Sequence, residues 1–289
     1  MSWKVKARSV ADAVSGHRSK LHLKERCFLF GGSFDPPHIG HRDLIKGLMD
    51  RASIDGASHI RIVPAALSPF KQESHAGNHH RLTMLELLLR ELPAASIHRA
   101  SPSVEPTRAS SERSQSAEDG ESRPVESAER LDCPEEGSGQ VPVILDTYEI
   151  DQGGVSYTVR TVQYLHTMDL DPILVIGADN LYSLEKWKEH SFLLEQVPIL
   201  VFRREGQDAG MQDFRDQLVR DNRVRSIEIL DLCPPGCSST AIRKAIQKRF
   251  RASVNPEYEG KGTALKIEEC LPSSVLKYIQ KHQLYVSPS

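Results

Sequence analysis

The chain lacks any apolar run approaching the roughly 18–20 residues of a membrane-spanning helix, so no membrane partnership is expected. It also lacks an excess of one charge. A net charge of −2 and a pI near 6.6 provide no global positive field to recruit nucleic acid. Cysteine is scarce and odd in number, with Cys27, Cys133, Cys233, Cys237 and Cys270 scattered along the sequence. Cys233 and Cys237 stand as C-x3-C, but no second pair or histidine partner lies near them, and no metal ligand set is assigned. Free thiols in a reducing compartment follow, with the cytoplasm expected and nucleus or organelles left open. Nor is there a Ser–His–Asp or paired-carboxylate constellation, which sets aside the chemistries that need one.

What is present is 39% hydrophobic and 26% charged, the profile of a folded domain diluted by a polar segment. That segment is 100–140, with nine serines, ten acidic residues, no aromatic and only Val104, Val125 and Leu131 as large aliphatics. It cannot bury enough apolar surface to offset its ordering entropy and reads as a disordered insertion. Residues 1–26 form a basic extension, read as a solvated tail because Asp12 and Glu25 interrupt the charge and hydroxyl residues are few. Residues 27–99 and 141–289 are then the two parts of one domain.

Within that domain strands and helices alternate. Cys27–Gly32, His59–Pro64, Val143–Leu145, Pro172–Ile176, Pro198–Phe202 and Arg225–Leu232 are short, largely apolar strands. Helical spacing recurs at Ile45, Leu48, Met49 and Ala52, and again at Leu82, Leu85, Leu88, Leu89 and Leu92. It returns in Thr158–Met168 and Ser274–Gln280. The alternation predicts an α/β fold, a mostly parallel sheet flanked by helices, whose ligands bind beyond the carboxyl ends of the strands. Three chemically rich segments each follow a strand: Gly31–His41, Gly177–Trp187 and Cys237–Arg243.

The first reads Gly31-Gly32-Ser33-Phe34-Asp35-Pro36-Pro37-His38-Ile39-Gly40-His41. Two glycines after a strand would let the backbone turn sharply and bring N–H groups to a phosphate. His38 and His41, three apart at a helix entrance, can face one side and donate to phosphoryl oxygens. In the third segment Ser239 or Thr240 is placed to cap a helix whose buried face is Ile242, Ala245 and Ile246. Arg243, one turn in, offers a planar fork for β- and γ-phosphate oxygens. Asp179 places a carboxylate just after a strand, and Trp187 offers a flat apolar face.

GGSFDPPHIGH resembles the signature of the nucleotidylyltransferase superfamily, a Rossmann-like fold with an HxGH element that class I aminoacyl-tRNA synthetases share. Cys237-Ser238-Ser239-Thr240-Ala241-Ile242-Arg243 is similar to the ISSTxIR motif of the nicotinate and nicotinamide mononucleotide adenylyltransferases, with Cys237 at the usual isoleucine. The resemblance spans Phe28–Tyr285 apart from the insertion and implies transfer of the adenylyl group of ATP to a pyridine mononucleotide. It implies ATP contacts at Gly31, Gly32, Ser33, Phe34, His41, Lys71, Ser239, Thr240 and Arg243, with His38, His41, Lys71 and Arg243 stabilising the reacting phosphates. For the mononucleotide it implies Gly32, Ser33, Tyr157, Thr158, Thr161, Gly177, Asp179, Trp187 and Arg203. Asp151–Gly154 resembles the family's glycine turn, and Ser156–Thr161 its nicotinate-holding helix start. Arg81 matches a helix-start arginine and is expected to be solvated, as are His75, His79 and His80. The closing Leu271–Tyr285 segment is expected to serve packing.

The nucleophile would already be anionic, so no general base is required; positioning and charge stabilisation remain. Magnesium would come on the ATP phosphates. The motif flavour is bacterial-type and leans towards nicotinate, with dual use of both mononucleotides and homo-oligomerisation left open. Alternatives are a phosphopantetheine or CTP-dependent transferase of the same superfamily, disfavoured by SSTAIR and Trp187, and a non-catalytic nucleotide-binding scaffold, disfavoured by the intact His38, His41 and Arg243. A tRNA synthetase would need a KMSKS-like segment, which is missing.

Overall fold

Residues that alternate between two buried faces build the sheet of this protein. The computed structural model describes residues 24–69, 75–92, 97–101, 141–203, 210–254 and 265–286. The expectations for the basic extension and the serine-rich insertion lie outside these residues, apart from their edges. Among the described residues seven strands occur, β1 (Glu25–Gly32), β2 (Ala57–Pro64), β3 (Ile97–Ala100), β4 (Val143–Asp146), β5 (Leu170–Gly177), β6 (Pro198–Phe202) and β7 (Ser226–Leu230). They are ordered β3-β4-β2-β1-β5-β6-β7, and every pairing between them is parallel. β3 is not foreshadowed in the sequence because its four residues Ile-His-Arg-Ala are mostly exposed at a sheet edge and carry no apolar run.

The period of two along each strand splits the core. Phe28, Phe30, Ile60, Ile62, Val175 and Phe202 face helices α1 (Ile39–Asp55), α2 (Asn78–Leu89), α8 (Ser239–Val254) and α10 (Ser273–Lys281). Leu29, Val63, Leu174, Ile176, Ile199 and Val201 face α4 (Thr158–Thr167), α6 (His190–Gln196) and α7 (Met211–Asp221). Among the described residues no helix is long and apolar enough to cross a membrane.

On the second face β2 and β4 break the apolar pattern. Arg61 Nη1 donates to Asp146 Oδ2 at 2.6 Å, and both side chains are almost wholly buried. Arg61 Nε donates to His59 Nε2 at 3.1 Å, so the neutral ring carries its proton on Nδ1, 2.8 Å from Ser58 Oγ. The serine in turn donates to Glu25. Tyr148 and Tyr164 stack at 3.9 Å on this side of the protein. Burial, and then the neighbouring Arg61 charge, push His59 down from 6.5 to about 4. The unfolded chain therefore binds this proton more readily between those two values, and stability falls as pH drops through that window. Urea midpoints near pH 7 and pH 4.5 test this; His59→Gln is expected to flatten the dependence.

Candidate active site

All strands being parallel, the loops that follow them share one rim, and the order reverses between β1 and β5, where α/β sheets bind ligands. The loop after β1 leads into α1 and carries the two histidines. Their rings lie 3.8 Å apart between centroids. His41 Nδ1 accepts the main-chain N–H of His38 at 3.1 Å, which sets the proton of a neutral His41 ring on Nε2. Phe34 meets His41 edge-on at 4.9 Å and is wedged against Phe30 at 5.5 Å.

The glycines here act differently from expectation. The turn is made by Phe34, with φ +47, while Gly31 and Gly32 remain in β1. A Cβ on Gly32 would come within 3.1 Å of the Phe34 ring, and one on Gly40 within 3.1 Å of both the His38 ring and the Pro235 carbonyl. Close approach, rather than an unusual dihedral, is what these positions require.

The third segment closes onto the same loop. Arg243 Nη1 donates to the Asp35 carbonyl at 2.6 Å, and Ser239 Oγ to the Pro36 carbonyl at 2.9 Å. The helix is capped one residue earlier than expected: Ser238 Oγ accepts the Ala241 N–H at 3.1 Å. Ser239 is drawn off by Pro36, and Thr240 Oγ1 by Arg243 Nη2 at 3.3 Å. Arg243 is buried rather than displayed, and Ala245 is only partly covered.

Cys237 is joined to Cys270, at the end of α9 (Ile267–Cys270), with Cα atoms 5.7 Å apart. This corrects the reading of scattered free thiols: a separation of 33 residues hid a contact that packing of α8 and α9 creates. Cys27 and Cys233 stay unpaired among the described residues.

Arg81 is fully buried, against the expectation of a solvated side chain. It donates to the Ser33 carbonyl at 2.7 Å, the Ala66 carbonyl at 3.2 Å and Asn78 Oδ1 at 2.6 Å, tying the loops after β1 and β2 together. The signal was available, because residue 81 precedes Leu85 by four and so falls on the buried stripe of α2. Ser156 extends the tie: its hydroxyl accepts the Ala66 N–H at 2.9 Å and its N–H reaches the Leu67 carbonyl at 2.8 Å.

The second segment and the start of α4 lie on the β5 side. Gly177 ends β5 and Asp179 is exposed in the first turn of the short α5 (Ala178–Leu181). The α4 N-terminus follows Gly153 and Gly154, both left-handed at φ +66 and +65, where glycine is the undemanding choice. Its N-cap, Tyr157, provides no side-chain bond, and no acid sits in the first turn. The Tyr157 ring is flanked by two cations, Arg160 at 5.4 Å and Lys188 at 4.8 Å, which brings the Trp187–Lys188 turn beside α4. Trp187 is half-buried, with its Nε1 buried and unpaired among the described residues. Thr161 is buried and gives its hydroxyl to Glu149 on α3 (Tyr148–Gln152). Burial raises the Glu149 carboxyl, and its hydrogen bonds from Thr161 and Ser156 act against that. Glu149 was not singled out from sequence, for a lone acid before a glycine turn carries no pattern. Arg203 stands half-buried just past β6, and Lys71 lies outside the described residues.

The cytidylyltransferase-like family model matches residues 29–245. A protein of Rhodopirellula baltica named probable nicotinate-nucleotide adenylyltransferase is 28% identical over 202 residues, covering 69% of this chain and 71% of that one. One of the same name from Chloroherpeton thalassium is 26% identical over 259 residues, 89% and 96% of the two chains. The fold matches the Plasmodium falciparum nicotinic acid mononucleotide adenylyltransferase complexed with NaAD, with a TM-score of 0.55 at 15% identity over 90% of this chain and 97% of that one.

Proposed function

Because this chain belongs to the cytidylyltransferase-like family, we propose that it transfers the adenylyl group of ATP to nicotinate mononucleotide, releasing pyrophosphate and forming the deamido form of NAD. The curated relatives carry the name of that activity. The observation that carries the reading is the convergence of the histidine pair, the α8 N-terminus and Arg243 on one short loop, with Arg243 and Ser239 each bonded to it.

In the reaction a 5′-phosphate oxygen of the mononucleotide attacks the α-phosphorus of ATP, and the bond to the bridging oxygen of pyrophosphate breaks. His38 and His41 donate to phosphoryl oxygens, and Arg243 with Lys71 balances the charge of the leaving pyrophosphate. No proton need be taken from the nucleophile, so the protein supplies position and preorganised donors. Magnesium enters on the triphosphate, whose oxygens suit a hard cation, and there it neutralises charge.

Nicotinate is preferred over nicotinamide because Arg160 and Lys188, the cations flanking Tyr157, favour a carboxylate over a neutral amide. A charged hydrogen bond exceeds a neutral one by enough to give roughly tenfold or more in kcat/KM. Pyrophosphate release measured with ATP and each mononucleotide tests both statements. Equal use of the two overturns the preference; no release with either overturns the reaction.

A further inference from the structure

One buried carboxylate gathers bonds from distant parts of the chain. Asp35, 4% exposed, accepts from the Tyr285 hydroxyl at 2.7 Å, from the His75 N–H at 2.8 Å and from the Ala76 N–H at 3.2 Å. Its own backbone carbonyl takes Arg243 Nη1 at 2.6 Å. Tyr285 lies 250 residues away, beyond α10, and is itself buried. The backbone bends to deliver it: Gln283 and Tyr285 are left-handed, at φ +49 and +64, and Phe34, next to Asp35, is left-handed at φ +47. Non-glycine residues in that region persist only where the surroundings over-determine them, and they cluster at functional sites. Here they stand at both ends of one hydrogen bond.

We infer that Tyr285 is a positioning residue for the ATP side of the reaction, holding Asp35 and, through the Asp35 carbonyl, the Arg243 guanidinium in place for the triphosphate. This assigns the closing segment a role beyond packing, and it rests on the adenylyl-transfer reading. The phenol suits that role, because burial and the Asp35 charge push it well above the usual tyrosine range and it remains a donor throughout the working pH range. The pyridine side is held by separate bonds, those of Ser156 to Ala66 and Leu67, and is expected to be indifferent.

The test is Tyr285→Phe in the full chain, which removes one hydroxyl and leaves Asp35 its two N–H donors. The KM for ATP, and the Kd of a non-hydrolysable ATP analogue with magnesium measured calorimetrically, are expected to rise about tenfold, the loss of one hydrogen bond to a charged group. The KM for nicotinate mononucleotide is expected to stay within about twofold. Calorimetric stoichiometry counts the folded fraction, so partial misfolding does not obscure the Kd. An unchanged Kd, or a lower kcat with both KM values intact, would assign Tyr285 to folding alone and overturn the inference. Should the wild-type chain bind the analogue yet make no dinucleotide, the reaction fails while the Kd comparison still decides the role of Tyr285.

Discussion

Replacing His41 with alanine is expected to lower kcat by at least tenfold, and on the order of 10²–10³-fold if it supplies a donor to the transition state. The ring sits one turn into α1, packed against His38 at 3.8 Å and Phe34 at 4.9 Å. Its Nδ1 already accepts the His38 N–H, so Nε2 is the atom that carries the proton and the one that can donate to a phosphoryl oxygen. Alanine removes the acceptor of the His38 N–H as well as the donor, and losing that hydrogen bond costs about 0.5–1.5 kcal/mol of stability. Urea unfolding measures that part, and single-turnover kinetics on the folded enzyme measures the other. His41→Asn, which can still accept the His38 N–H, is expected to recover stability more than turnover. Near-normal kcat in the alanine variant would remove His41 from the catalytic set.

The largest stability effect is expected at Asp146. Its carboxylate and the Arg61 guanidinium meet at 2.6 Å with side chains 0% and 4% exposed. Asp146→Ala leaves a buried cation without its counter-charge, which typically costs on the order of 3–5 kcal/mol. It also strips the first turn of α3 of the bond from the Tyr148 N–H to Asp146 Oδ1, 3.0 Å long. Replacing both partners by apolar residues, Arg61→Met with Asp146→Leu, is expected to cost far less, because no uncompensated charge remains. Denaturant unfolding of the two singles and the double gives the coupling directly. A loss below about 1 kcal/mol in Asp146→Ala would contradict the buried pairing as the source of stability.

The same chemistry explains which parts of the site are readable in one dimension. His38 and His41 are expected on one side from a spacing of three at a helix start, and their rings lie 3.8 Å apart. β6 runs over Pro198–Phe202, as its apolar run indicates. Such inferences need only the local periods of strand and helix. Arg81 and Arg243 are harder, because an arginine announces solvent by its charge. Both are buried: carbonyls of the loop after β1 accept their N–H groups, and those carbonyls come from residues 48 and 208 positions away. Ser239 illustrates a smaller failure of the same kind. It can cap a helix locally, yet the Pro36 carbonyl, 203 residues distant, takes its hydroxyl and the cap passes to Ser238.

The amino-acid sequence alone determined the alternation of strands and helices, the rim on which three loops gather, and the residue types available to a phosphate chain, since all of these follow from near-neighbour patterning. Only the tertiary structure decided how those residues are secured: the joining of Cys237 to Cys270, the pairing of Arg61 with Asp146, and the bond from Tyr285 to Asp35. These contacts link positions 33, 85 and 250 residues apart. Buried polar groups must find partners wherever packing brings them, and that choice is made by the folded arrangement, not by spacing along the chain.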